Sequence, residues 1–156
     1  MSQITKRFFK YELLRKCNIR ELCSKNGLHY GQPPVLRYIV ENDSCTQKEI
    51  SDYLGVTAAS IALSTKRLQK SGLITKQTDQ YNLRCNRLSA TAKGIETSNR
   101  FHEQLRQLDE KTFCGISDEE IEQLNNVLDR IISNACNGKD ISFIEMIRRV
   151  HEMERE

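Results

Sequence analysis

No run of apolar residues in this 156-residue chain approaches the length of a membrane span. Met1 to Lys10 is polar and basic between its few apolar residues, without the uninterrupted apolar core of an export signal. These two absences predict a cytoplasmic protein with no membrane partner. The six cysteines, Cys17, Cys23, Cys45, Cys85, Cys114 and Cys136, show no C-x-x-C pairing. That spacing argues against a structural zinc site and, without export, against a disulfide framework. Most of these thiols are expected to be reduced, small and buried. Catalytic groupings are missing too. His29, His102 and His151 lie far apart, no Cys or Ser stands close to any of them, and no glycine-rich loop could cradle a phosphate. Neither metal nor cofactor is expected. A cysteine enzyme would need an accessible thiol in a cationic setting with a base in reach. It is one alternative reading, and a helical protein-interaction module is the other.

Acidic residues are scarce where basic ones are plentiful. Residues 1–45 carry 8 Lys or Arg against 4 Asp or Glu, residues 46–100 carry 9 against 4, and residues 101–156 carry 7 against 13. A net charge of +3 thus hides a basic front and an acidic rear. Such asymmetry suits a chain that turns one region toward a polyanion.

The pattern is mainly helical. A long helix runs from Ile4 to about Ser24, carrying Phe8, Phe9, Leu13, Leu14, Cys17 and Leu22, and Asn26-Gly27 stops it. Pro33 and Pro34 suit the first turn of a second helix, where a missing N–H costs nothing. After a turn at Glu41-Asn42-Asp43-Ser44, Thr46-Gln47-Lys48-Glu49 has the form of a capping box opening a third helix. Gly55 ends that helix, and a fourth begins at Thr57 with small side chains: Ala58, Ala59 and Ser60.

At 100° per residue, Ile61, Ser64, Thr65, Leu68 and Gly72 share the packed side of the fourth helix. The opposite side holds Ala59, Leu63, Lys66, Arg67 and Lys70, flanked by Ser60 and Ala62. Small residues in the first turns let a helix end enter a major groove without clashes. Ser60 can bond bases or phosphate, Ala and Leu can touch thymine methyls, and the cations behind reach the backbone. Helix, short turn and helix in this order are a helix-turn-helix. Leu73 to Gln77 and Leu83 to Ser89 then read as two strands around a polar turn, a β-hairpin wing with Arg84 near its tip and Arg87 further down the strand.

Gln47-Lys48-Glu49-Ile50-Ser51-Asp52-Tyr53-Leu54, Leu68-Gln69-Lys70-Ser71-Gly72-Leu73-Ile74 and Arg84-Cys85-Asn86-Arg87-Leu88-Ser89-Ala90-Thr91-Ala92-Lys93-Gly94 resemble the MarR family of winged-helix transcriptional regulators. Of that family's wing pattern D-x-R-D-x-R, Asp79 and Arg84 match, while Tyr81 and Asn82 depart. The resemblance implies a single domain over residues 1–156. A winged helix-turn-helix at 33–91 would be flanked by dimerisation helices at 1–30 and 92–156. It also implies a homodimer on a pseudo-palindromic operator in double-stranded DNA, usually as a repressor. The candidate DNA contacts are Thr46, Gln47, Thr57, Ala58, Ala59, Ser60, Leu63, Ser64, Lys66, Arg67, Lys70, Arg84 and Arg87.

The rear third reads independently as association surface. Ile95, Phe101, Leu105 and Leu108 line a helix after Thr91. Ser117-Asp118-Glu119-Glu120 caps another, with Ile121, Leu124, Leu128, Ile131 and Ala135 at near-heptad spacing and Val127 and Ile132 widening the stripe. Ser142-Phe143-Ile144-Glu145 caps a last helix bearing Ile147, Val150 and Met153. A small winged-helix core cannot cover so many stripes, which favours a dimer. The resemblance further implies a small-molecule effector near His29, Tyr30 and Gln32, or oxidant sensing through cysteine. Cys85 has Arg84 and Arg87 as neighbours that favour a thiolate, and Cys17 and Cys23 lie on the first helix, where thiol sensors of this family place theirs.

Overall fold

The computed structural model describes residues 2–78 and 86–153, so Arg84, Cys85 and the wing tip lie outside the described residues. The elements in order are α1 (Gln3–Lys25), α2 (Gln32–Glu41), β1 (Cys45–Thr46), α3 (Gln47–Leu54), α4 (Ala58–Lys70), β2 (Ile74–Thr78), β3 (Asn86–Ala90), α5 (Ala92–Thr112), α6 (Asp118–Ala135) and α7 (Phe143–Met153). They form two compact units, residues 1–106 and 107–156. No helix among the described residues is long and apolar enough to cross a membrane.

The first unit is a winged helix. Pro33 and Pro34 occupy the opening turn of α2, as their fixed φ and missing N–H favour. Val35, Leu36 and Ile39 of α2 join Ile50, Ile61, Leu68, Leu73, Ile74 and Leu88 in the core, and Cys23, Leu28 and Phe101 close it. β2 and β3 pair antiparallel, with Ile74 opposite Ala90 and Thr78 opposite Asn86. A third strand that the sequence does not announce, β1, pairs Cys45 with Leu88 and Thr46 with Arg87, giving the order β1-β3-β2. Two residues are too few for any alternation to register.

Gly72 is not on the packed side of α4, contrary to the helical projection. It lies beyond the C-cap Ser71 at φ 71° and is exposed, because the chain leaves the helix there through a left-handed turn. The cysteines are also less buried than expected. Cys23 and Cys45 are buried, Cys136 is half-buried, and Cys17 and Cys114 are exposed.

On α1, Phe8, Phe9, Leu13 and Leu14 are exposed, so most of the stripe read from the sequence has no cover within its unit. In the second unit, α6 has the capping box expected at Ser117 and Glu120. None of its residues is buried, and Leu124, Val127, Ile131 and Ile132 stand exposed. The box expected at Ser142 is only half formed. Glu145 N–H donates to Ser142 Oγ at 3.2 Å, but its carboxylate turns to Arg149 at 2.6 Å.

Candidate nucleic-acid interface

The helix-turn-helix is held from both ends by local bonds. Thr46 caps α3: its Oγ1 accepts from Glu49 N–H at 3.2 Å, and Glu49 Oε2 accepts from the Thr46 N–H at 2.6 Å. The Thr46 N–H, and after it the Thr46 hydroxyl, which donates to Glu49 Oε2 at 2.9 Å, hold the Glu49 carboxyl below its ordinary 4.5. A carboxyl lowered on folding contributes stability above its unfolded pKa, and that stability is lost as pH falls through the folded value. Thr46→Ala should therefore lower stability by about 1 kcal/mol at pH 7, as N-cap losses do. It should also reduce, without abolishing, the loss of stability below pH 4.5, since alanine keeps the N–H that lowers the Glu49 carboxyl most; urea midpoints across pH measure this.

Gly55 ends α3 at φ 66° and is buried, a position only glycine fills without strain. Ser51 Oγ donates to the Val56 carbonyl at 2.7 Å, tying the turn back to α3. Thr57 then caps α4, its Oγ1 accepting from Ser60 N–H at 3.0 Å and donating to Ser60 Oγ at 2.9 Å.

α4 divides by face as its periodicity requires. Ile61, Thr65 and Leu68 are buried, and Ser64 is half-buried. Ala58, Ala59, Ser60, Ala62, Leu63, Lys66, Arg67 and Lys70 are exposed. Leu63, at 50% exposure, is a large apolar side chain facing outward between small residues and cations. The helix contains no acidic residue. Among the described residues Lys66, Arg67 and Lys70 carry no ion pair, so the exposed side of α4 runs from the positive dipole end at its N-terminus to three cations in its second half. Lys76 is a further exposed cation, on β2, that helical periodicity could not find.

Other candidate residues turn elsewhere. Gln47, half-buried, donates through Nε2 to Thr65 Oγ1 at 2.6 Å and so faces α4. Arg87 is half-buried on β3 and donates to the Ser44 carbonyl at 3.3 Å, bracing the approach to β1. Ser64 presents its carbonyl to Gln32 Nε2 at 3.4 Å.

The effector candidates separate. His29 and Tyr30 are exposed and line a cleft of about 470 Å³ with Arg20, Ser24, Gly27 and Leu28. The Arg20 guanidinium lies 5.3 Å from the Tyr30 ring centroid. Tyr30 also borders an apolar pocket of about 260 Å³ with Ile19, Cys23, Pro33, Pro34, Phe101 and Leu105. Gln32 does not join the cleft: it is buried, and its Oε1 accepts the His29 N–H at 2.6 Å. Among the thiols, burial raises Cys23, which disfavours its thiolate, whereas Cys17 is exposed on α1. Burial, with Glu49 beside it, pushes the Cys45 thiol up to about 11.

Comparison with known proteins agrees with this geometry. A model described as the MarR family matches residues 26–84. The chain is 25% identical over 107 residues to the HTH-type transcriptional regulator BilQ of Clostridium symbiosum, covering 69% of this chain and 74% of BilQ. It is 24% identical over 117 residues to the HTH-type transcriptional repressor IacR of Pseudomonas putida, covering 75% and 70%. The fold superposes on the S. aureus MepR–DNA complex with a TM-score of 0.69 at 20% identity, covering 86% of this chain and 99% of MepR.

Proposed function

We propose that the chain is a winged-helix transcriptional regulator of the MarR family, which binds a pseudo-palindromic operator in double-stranded DNA as a homodimer and represses transcription. The observation that carries this reading is the outer face of α4: small side chains at its first turn, then Lys66, Arg67 and Lys70, with no acid among them.

Laid into a major groove, that face offers Thr57, Ala58, Ala59, Ser60 and Leu63 to base edges and thymine methyls, with Ser64 at its margin. Lys66, Arg67 and Lys70 meet phosphates, and the Thr46 end of α3 approaches the backbone. Arg84, read from the sequence alone, is the proposed minor-groove cation, and Arg87 braces β3 through the Ser44 carbonyl. The whole chain acts as one MarR-like domain in this reading, residues 33–91 reading DNA and residues 1–30 and 92–156 building the dimer. Two uncovered apolar helices support the dimer. α1 leaves Phe8, Phe9, Leu13 and Leu14 exposed, and α6 leaves Leu124, Val127, Ile131 and Ile132 exposed, each an apolar stripe that a second copy could cover. The repressor role is supported by the name of the relative IacR. The cleft at His29 and Tyr30 is the candidate effector site, and exposed Cys17 is a better placed redox candidate than buried Cys23. Work in the cytoplasm follows from a role on chromosomal DNA.

The test is selection of a preferred site from a pool of randomised duplexes, followed by footprinting. A two-fold dimer should protect an inverted repeat whose half-sites are about one helical turn apart, roughly 34–36 Å. Recovery of an unenriched pool would refute sequence-specific reading.

A further inference from the structure

Ile61 and Leu68 hold α4 by apolar burial, which has no direction and so sets the helix's rotation about its axis only loosely. Two glutamines supply direction. Gln32, the first residue of α2 and 3% exposed, accepts the His29 N–H at Oε1 and donates from Nε2 to the Ser64 carbonyl at 3.4 Å. Its amide has one workable orientation, because a backbone N–H can only donate and a carbonyl can only accept. Gln47, the first residue of α3, donates to Thr65 Oγ1 at 2.6 Å. Thr65 spends its own proton on the Ile61 carbonyl at 2.8 Å, which leaves its lone pairs for Gln47. Amides from two different helices thus grip consecutive residues of α4, directly behind the turns that face outward.

We propose that Gln32 and Gln47 are positioning residues that act through Ser64 and Thr65 to fix the rotation of α4, on which base reading depends. The proposal rests on α4 being the DNA-reading helix. With side chains about 5–6 Å from the axis, a rotation of about 15° moves a side-chain tip by roughly 1.5 Å, enough to break a base contact. Phosphate contacts through the long flexible Lys66, Arg67 and Lys70 side chains tolerate the same movement. Specificity, rather than overall affinity, is therefore what the glutamines protect.

The experiment uses the full chain and the site selected with it from randomised duplexes. It compares affinity for that site with affinity for a duplex changed at one base pair per half-site, alongside melting temperature. Gln32→Met and Thr65→Val keep volume and remove the bonds, and Thr65→Ser keeps the hydroxyl. Gln32→Met and Thr65→Val should lose about tenfold in discrimination, the scale of one mismatched base pair. Their affinity for random duplex and its salt dependence should stay unchanged, and Thr65→Ser should discriminate as the natural chain does. Unchanged discrimination in Gln32→Met and Thr65→Val overturns the proposal. So does a parallel fall of melting temperature and both affinities, the mark of a merely structural role. If Thr65→Val does not fold, Gln47→Met removes the same bond from a half-buried side chain and is read the same way. A natural chain that selects no site overturns the DNA-reading function itself, whereas a selecting chain with indifferent variants overturns only the positioning.

Discussion

Gly94→Ala is expected to destabilise the protein by about 2 kcal/mol, although alanine is intrinsically the better helix residue by about 1 kcal/mol. Gly94 lies in the first turn of α5, where a Cβ would overlap the carbonyl oxygen of Leu73, a backbone atom that cannot swing aside. The same Leu73 oxygen accepts the Thr91 N–H at 3.0 Å, Thr91 Oγ1 donates to the Gly72 carbonyl at 2.7 Å, and Gly94 N–H donates to Thr91 Oγ1 at 3.1 Å. Lys93 adds a bond from its ammonium to the Ser71 carbonyl at 3.0 Å. Relieving the clash must push the start of α5 away from the turn that ends α4. That combines an overpacking cost of about 1–3 kcal/mol with a weakened cap worth about 1 kcal/mol. Chemical denaturation gives the answer directly, and a variant more stable than the natural chain would show that the joint between α4 and α5 is slack.

The largest effect should come from Leu128→Glu with Ile131→Glu on α6. Ile131 is exposed and Leu128 half-buried, so neither change should harm the fold of a single chain. If a second copy covers this stripe, each glutamate must be buried without a partner, which costs several kcal/mol. Dimerisation should weaken by about a hundredfold or more, and operator affinity should fall with it, because two half-sites would no longer be held by one particle. Sedimentation and binding measured on the same sample test both halves. A variant that stays monomeric and still binds the full site as tightly as the natural chain would exclude the dimer as the DNA-binding species.

Most of the fold could be read from the sequence because it rests on strong local devices. The capping boxes at Thr46 and Ser117, the proline pair opening α2 and the glycine ending α3 act within a few residues, and each forms where the pattern places it. The outward face of α4 was legible for a related reason: a helix buries a fixed stripe, so Leu63 and the cations had to face away from Ile61 and Leu68. Long-range pairing left no such trace. β1 exists only because Leu88 and Arg87 lie opposite Cys45 and Thr46, forty-odd residues apart in the chain. The same limit hid the work of Gln32 and Gln47. A glutamine beside a helix start reads as a surface donor until Ser64 and Thr65 are seen to take its amide. Burial of individual cysteines was equally hidden, since Cys17 and Cys23 occupy one helix yet one is exposed and the other enclosed.

The central claim is that the outer face of α4 meets DNA, and the most direct test is the salt dependence of binding to the selected site. The natural chain should give a straight line of log affinity against log salt concentration. The triple change Lys66→Ala, Arg67→Ala and Lys70→Ala should reduce the slope by about 5.4, at roughly 0.9 for each phosphate no longer neutralised, three at each half-site of the dimer. It should also weaken binding at every salt concentration. An unchanged slope and affinity in the triple variant would contradict the account, because the cations of α4 would then face no phosphate.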